Sequence, residues 1–459
     1  MALTRIDRLD DAIGERLERL VVAHHRRRLR RHGWARAYAP PDDGLWAAGH
    51  PPPRDGNRLE PLIDGDDALG RIASDVAAAQ ESVLVAGWHV EPSFRLAAEG
   101  PTVRELLADA AERAEVRVLV WAGAPLPLFS PSRATVRAQR DDLVRGTRIR
   151  MALDPRERPM HCHHEKIVVV DGRIAYVGGI DLTSLAGNRL DRSGHPAREG
   201  VGWHDAALRI EGPLVADVAA HVALRWREVT DTEAPVSATL SRAGDTTAQF
   251  VRTVPNDVYD AVPQGDFRIL ESYVRALRSA ERLIYLESQF LWSPELVRIL
   301  VDKLHNPPSE DFRMIVLLPA HPNNGADDTR GQLGVLINAD RHERFLACTL
   351  YQPGGGDQVY VHAKIGIVDD RWLALGSANL NEHSFFNDTE ACVVTCDESL
   401  VRETRLRLWR EHLEVDEPTF ETWHERADDD AYDRLRRLPN VSRRTRSFLG
   451  PINGLLVDG

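Results

Sequence analysis

Two tandem copies of one α/β unit are the fold class this sequence predicts. Three observations carry the prediction: the chain length, a helix-then-strand pattern that recurs at a fixed offset, and a nineteen-residue segment that occurs twice. At 459 residues the chain exceeds one ordinary domain and can fill two sizeable cores. DDALGRIASDVAAAQE at 66–81 is a helical pattern followed by the strand VLVA and then GWHVEP, and DFRILESYVRALRSAE at 266–281 is followed by LIYL and then ESQFLW, an offset of 200 residues. ALRIEGPLVADVAAHVALRWRE closes the first unit through Trp226, and ACVVTCDESLVRETRLRLWRE closes the second through Trp409. The boundaries that follow are 1–55 for an N-terminal helix and linker, 56–230 and 245–420 for the two units, and 421–459 for a C-terminal tail.

Residues 4–32 read as an amphipathic helix, with Thr4 as cap, Asp7 three residues on, and Ile6, Leu9, Ile13, Leu17, Leu20 and Val21 at helical spacing. It ends in HHRRRLRRH. Such a basic run reads first as a solvated helix end, with docking on anionic lipid headgroups as the alternative. Residues 39–56 are rich in Pro and Gly and mark a linker, and the polar, breaker-rich stretch 230–247 connects the two units. WAGAPLPLFSP at 121–131 is apolar and proline-bearing, either a lipid-facing loop or a buried wall. After about residue 420 no pattern stands out.

A hydrophobic content of 43% and a charged content of 28% are those of a globular protein. No stretch approaches the roughly 18 apolar residues of a membrane span. The N-terminal MALTRIDRLDDAIGERLERL does not read as a secretory signal, so a cytoplasmic location is expected, compatible with peripheral membrane contact. Cys162, Cys348, Cys392 and Cys396 show no paired CxxC spacing, which argues for reduced thiols and against a zinc knuckle. A net charge of −12 weighs against nucleic acid as a partner. Of 58 basic residues only three are lysine, Lys166, Lys303 and Lys364. A chain that uses arginine nearly everywhere has kept lysine where a compact ammonium serves better than a planar fork.

Two of those lysines mark the repeated segment. HCHHEKIVVVDG at 161–172 puts three histidines in four positions, and HEKIVVVDGRIAYVGGIDL from His164 matches HAKIGIVDDRWLALGSANL from His362 at eight of nineteen positions. His164, Lys166 and Asp171 correspond to His362, Lys364 and Asp369, whereas His161 and His163 correspond to Val359 and Val361. On a strand, residues i and i+2 share a face, so each His and Lys project together. Each Asp lies five positions after its Lys and falls on the opposite face, which favours a turn-stabilising role. A histidine and a lysine, present twice, suit phosphoryl transfer. One imidazole attacks phosphorus, the other donates a proton to the leaving oxygen, and the ammonium groups hold the charge of the other oxygens. No metal or other cofactor is required, and His161, Cys162 and His163 cannot by themselves surround an ion.

These residues resemble the phospholipase D superfamily, whose HxKxxxxD signature matches twice. The resemblance spans about 56–415 and includes GGIDL (178–182), WHDAALRIEGP (203–213), RTVP (252–255), YLESQF (285–290), GSANLNEHS (376–384) and LWREHL (408–413). It implies two pseudo-symmetric α/β/α sandwich lobes with the active site at their interface. His164, Lys166, Asp171, His362, Lys364 and Asp369 are then the catalytic signature, with His164 as nucleophile and His362 as acid and base. Lys166, Lys364 and Asn379 would hold phosphate oxygens, and Ser377 and Gln289 would line the substrate site. The family also places a carboxylate downstream of each motif histidine to orient it. Glu390, 28 residues after His362, and Asp205, 41 after His164, are the candidates, and a loop at 186–200 would absorb the difference in spacing. The flanks resemble phosphatidylcholine-type phospholipases D more than cardiolipin synthases. The implied partner is a phospholipid at a membrane surface, with a nuclease as the rival. Because a two-copy chain can complete its own site, oligomeric state stays open.

Overall fold

The protein, seen in a computed structural model, is described at residues 5–97, 99–125, 130–158, 161–184, 202–236, 241–322, 326–352, 356 and 358–438. Helices α1 (Arg5–Arg31) and α2 (Ala35–Tyr38) precede the first half. That half runs β1 (Arg54–Ile63), α3 (Asp64–Ala78), β2 (Ser82–Gly87), α4 (Val103–Ala110), β3 (Glu115–Trp121), α5 (Arg133–Val144), β4 (Arg150–Asp154), β5 (Ile167–Val170), β6 (Ile174–Gly178), β7 (Gly202–His204), β8 (Ala206–Glu211) and α6 (Leu214–Thr230). The second half runs β9 (Thr246–Val254), β10 (Asp266–Phe267), α7 (Arg268–Ser279), β11 (Leu283–Glu287), α8 (Pro294–His305), β12 (Arg313–Leu317), α9 (Ala326–Ala339), β13 (Phe345–Tyr351), β14 (Gln358–Val361), β15 (Ile365–Val368), β16 (Trp372–Gly376), β17 (Glu390–Thr395) and α10 (Glu398–Leu413). α11 (Phe420–Asp428) and β18 (Leu435–Arg437) follow.

The strand order repeats. The first sheet is β4-β3-β2-β5-β6-β8-β1, and the second is β13-β12-β11-β15-β16-β17-β9. In each, three parallel strands join an antiparallel meander. β1 belongs to both: residues 58–63 pair with β8, and Arg54 and Asn57 pair with β9 across a register break. The alternation of β-strands then sorts side chains into layers. Leu84, Ala86, Ile167 and Val169 of the first sheet meet Ile315, Leu317, Ile365 and Ile367 of the second, with α6 and α10 between them, in one shared core. Val83, Val85, Val168 and Val170 face α3 and α4 on one outer side, and Ile284, Leu286 and Val316 face α7 and α8 on the other.

Three sequence expectations change. The basic end of α1 is not simply solvated: Arg26, Arg27, Arg30 and Arg31 are exposed, but the helical period turns His25, Arg28 and Leu29 inward. Arg28 donates to Asn256 Oδ1 (2.6 Å), Asn387 Oδ1 (2.8 Å) and the Phe386 carbonyl (2.8 Å). The segment 39–56 is packed, since Gln249 exchanges hydrogen bonds with both backbone groups of Ala47. α1, α2 and this segment share the outer core of the second half rather than forming a unit of their own. Past residue 420, β18 extends the second sheet by pairing with β13. The loop expected at 186–200, residues 126–129 of the apolar stretch and the tail from 439 lie outside the described residues. No helix among the described residues is long and apolar enough to cross a membrane.

The motif aspartates hold the strand layout. Asp171 and Asp369 sit in left-handed backbone (φ +51° and +54°) beyond the ends of β5 and β15, a conformation aspartate tolerates better than most residues. Asp171 accepts from the amides of Gln80, Glu81 and Ser82, and Asp369 from those of Glu281, Arg282 and Leu283 at 2.7 Å each. Each carboxylate thus pins the start of β2 or β11 against the central strand. Asp369→Ala is expected to cost about 2–4 kcal/mol, from three charge-assisted bonds lost at half-buried amides. A urea melt gives that loss, and activity per folded molecule should stay near wild type.

Candidate active site

Each motif histidine lies in the extended segment just before β5 or β15, and that segment crosses to the other half. His163 bridges Thr389, and His164 N donates to the Thr389 carbonyl at 2.9 Å. In the second copy Val361 of β14 pairs with His204 of β7, and His362 N donates to the His204 carbonyl at 2.7 Å. The next residue in each partner segment is a carboxylate. His164 Nδ1 therefore meets Glu390 Oε1 at 3.0 Å, and His362 Nδ1 meets Asp205 Oδ2 at 2.7 Å.

The pairing is crossed, where the sequence suggested Asp205 for His164 and Glu390 for His362. Strand spacing explains the correction. Within one half β5 and β8 are separated by β6, so His164 and Asp205 start strands about 10 Å apart, too far for a hydrogen bond. The quasi-twofold relation of the halves brings the other carboxylate alongside instead. Within each half, two equivalent glycines let the strand that carries the carboxylate lie close to its neighbour: a Cβ on Gly178 would lie 2.5 Å from the Ala206 carbonyl, and one on Gly376 would lie 2.3 Å from that of Ala391.

His164, Lys166, His362 and Lys364 are all buried, at 3%, 4%, 6% and 2% exposure, so their charges depend on neighbours within the protein. Each lysine Nζ donates to the carbonyl of its own motif histidine, which folds the pair onto one face as strand alternation requires. Lys166 Nζ also lies 3.3 Å from Asp181 Oδ2. Burial pushes the Glu390 carboxyl up to about 8 and that of Asp205 up to about 6. The Lys166 charge opposes both shifts, so one ammonium acts on the two half-sites together. With Nδ1 held by a carboxylate, each ring leaves Nε2 for chemistry.

The remaining expected residues divide by what they touch. Ser377 is fully buried and donates to Glu390 Oε2, while Ser384 donates to Glu390 Oε1 at 2.6 Å. Ser377 therefore positions the carboxylate and is not placed to bind substrate; Gly179, its counterpart, leaves room where a Cβ would strike Asp205. Asp205 and Glu390 bind imidazoles, the role the sequence suggested for them, but each serves the histidine of the other half. Gln289 donates to the Tyr360 hydroxyl at 2.9 Å and receives Asn379 Nδ2 at 3.4 Å, tying Asn379 into the second half-site. Asp171 and Asp369 stand at the far ends of their strands, outside the site. Trp203 and Tyr360 stack at 4.6 Å, and Trp203 also lies against the His362 ring at 5.0 Å.

Sequence reasoning missed the buried polar groups beneath. Glu165 accepts from His221 and pairs with Arg225, which also holds Asp154; Asp154 in turn faces His163 Nε2 at 3.2 Å. On the other side His204 spans Asp64 and Glu287, each at 2.8 Å, and Glu287 receives His412 at 3.1 Å. The quoted segments HHEK, WHD, YLESQF and LWREHL contain most of these residues, but nothing in their spacing shows which of them meet.

The chain is similar to known proteins in sequence and in fold. Residues 273–411 match the family described as "Cardiolipin synthase, PLD-like domain". Phospholipase D A of Dictyostelium discoideum is 24% identical over 79% of this chain and 36% of its own length, and the cardiolipin synthase of Listeria innocua is 21% identical over 76% and 67%. The chain thus spans about a third of the first of these and two thirds of the second. Among solved structures, the phosphatidylserine synthase of Haemophilus influenzae superposes with a TM-score of 0.55 at 12% identity, covering 77% of this chain and 86% of that one, a likeness of fold.

The raised Glu390 carboxyl has a measurable sign. From its ordinary value of 4.5 up to about 8, the folded protein holds a proton that the unfolded chain has released, so this group's contribution to stability is lost as pH rises through that window. Across that range the urea midpoint of the wild type should fall relative to that of Glu390→Gln as pH rises, because glutamine does not titrate. A constant gap between the two would contradict the shift.

Proposed function

We propose that this chain, a member of the phospholipase D superfamily, is a phosphodiesterase and phosphatidyltransferase that cleaves the distal phosphodiester bond of a glycerophospholipid through a phosphohistidine. The crossed dyads carry the reading: His164 with Glu390 and His362 with Asp205, each beside a lysine. In the first step His164 Nε2 attacks phosphorus, a P–N bond forms, and the P–O bond to the headgroup alcohol breaks. His362 Nε2 gives its proton to the departing oxygen. In the second step His362 takes a proton from water or from an acceptor alcohol, whose oxygen attacks phosphorus as the P–N bond breaks. Lys166 and Lys364 offset the charge on the non-bridging oxygens.

The difference between the carboxylates supports this division of roles. Asp205, raised by burial to about 6, is the more readily ionised of the two and so the better partner for a ring that carries a proton, as suits the acid. Glu390, raised by burial to about 8, carries less charge near neutrality and so does less to favour a cationic ring beside it, as suits the nucleophile. The net charge of −12 favours a lipid over a polynucleotide. A second reading, transfer of the phosphatidyl group to another lipid's alcohol, is favoured by the family matched at 273–411.

Phosphatidylcholine vesicles with a primary alcohol, and separately single-stranded DNA, test the substrate class without added metal. Phosphatidylalcohol with intact DNA is the expected outcome, and DNA cleavage without lipid turnover sinks the reading. Vesicles containing phosphatidylglycerol reveal lipid-to-lipid transfer by product mass. For the order of chemistry, His362→Ala should accumulate a phosphoenzyme on His164 from a substrate with a good leaving group, read by acid-quenched mass spectrometry, and His164→Ala should not. An adduct on His362 would reverse the roles.

A further inference from the structure

The internal repeat leaves His161 without a histidine counterpart, and the fold gives it two unexpected neighbours. His161 Nδ1 lies 3.0 Å from His383 Nδ1 and 3.5 Å from Asp388 Oδ1, and His383 Nδ1 lies 3.9 Å from Asp388 Oδ2. His161 is 5% exposed and the other two are fully buried. Donor atoms held about 2.0–2.2 Å from one first-row cation sit about 3–3.5 Å from one another, which the two separations from His161 match and the one from His383 to Asp388 Oδ2 exceeds by a few tenths of an ångström. Two imidazoles and one carboxylate are also a ligand set such ions take.

The repeat supplies an internal control. Residues 161 and 388 stand beside the crossing where His163 bridges Thr389, and the equivalent places beside the Val361–His204 crossing are held by Val359 and Trp203, 2% and 6% exposed. The fold therefore builds this crossing from apolar residues equally well. Burying two imidazoles and a carboxylate there is costly unless something satisfies them. A simple hydrogen-bond network falls short: between two Nδ1 atoms only one proton can be shared, and among the described residues no hydrogen bond reaches Asp388 Oδ2. The other oxygen is oriented by the Cys162 amide at 2.9 Å, as a ligand carboxylate commonly is by its outer neighbours. The buried group His204–Glu287–His412 differs, because both nitrogens of His204 are already engaged by carboxylates.

We propose that His161, His383 and Asp388 bind one divalent late first-row transition ion, zinc in particular, which staples the crossing that presents Glu390 to His164. Asp388 precedes Glu390 by two residues and His161 precedes His164 by three, so the ion ties both strands immediately ahead of the dyad without touching it. On binding, each Nδ1 presents a lone pair, any proton there being released or moved to Nε2.

Cobalt titration of the metal-stripped full chain, and metal analysis after zinc loading and gel filtration, test the site. The wild type should take up one equivalent, develop visible Co²⁺ bands, and melt at higher temperature with zinc. His161→Val, which copies Val359, and His383→Gln should lose the ion while keeping the far-ultraviolet circular dichroism of the parent. A wild type that takes up neither Co²⁺ nor Zn²⁺ overturns the proposal whatever the variants do, as does a folded variant that keeps a stoichiometric ion.

Discussion

Two short backbone crossings hold the molecule's working parts in register. Where His164 N meets the Thr389 carbonyl and His362 N meets that of His204, each half lends the other the carboxylate it cannot supply itself. Neither half-site is complete alone. The requirement couples the cores as well, since α6 and α10 fill one shared hydrophobic layer between the sheets and any sliding of one sheet past the other would part both dyads at once.

The price of such a site is electrostatic. Two imidazoles, two ammonium groups and two carboxylates are withdrawn from water, and such groups persist only when paired. The pairing is graded: directly between His and carboxylate, then from carboxylate to hydroxyls in the case of Ser377 and Ser384, and beneath these to the Glu165–Arg225–Asp154 and Asp64–His204–Glu287 networks. Symmetry sets the frame and its breaches set the roles. Asp181 stands opposite Asn379, Asp205 opposite Glu390, and Gly179 opposite Ser377. The first lysine consequently has a carboxylate beside it, and the two dyad carboxylates differ in basicity.

Several features were legible one residue at a time. Alternation on β5 and β15 correctly put His and Lys on one face and the motif aspartates away from them, because a strand's period is local. The recurrence of helix and strand patterns foretold the repeated sheet order for the same reason. The basic end of α1 was misjudged as solvated, since a charge run does not reveal that Arg28 finds Asn256, Asn387 and a carbonyl waiting on the second half. Ser377 looked like a substrate ligand by its place in GSANL, and its partner Glu390 became visible only when β17 was laid beside β16.

By itself the sequence determined the α/β class, the twofold repeat, and the pair of His–Lys motifs, all of which follow from periodicity and composition within short windows. Which carboxylate serves which histidine was decided by tertiary structure alone. Spacing along the chain favoured partners within one copy, but two strand widths separate those partners in space, and only the packing of one half against the other brings Glu390 to His164 and Asp205 to His362. The same packing gathered His161, His383 and Asp388, residues more than two hundred positions apart in part, into a cluster that no local pattern announces.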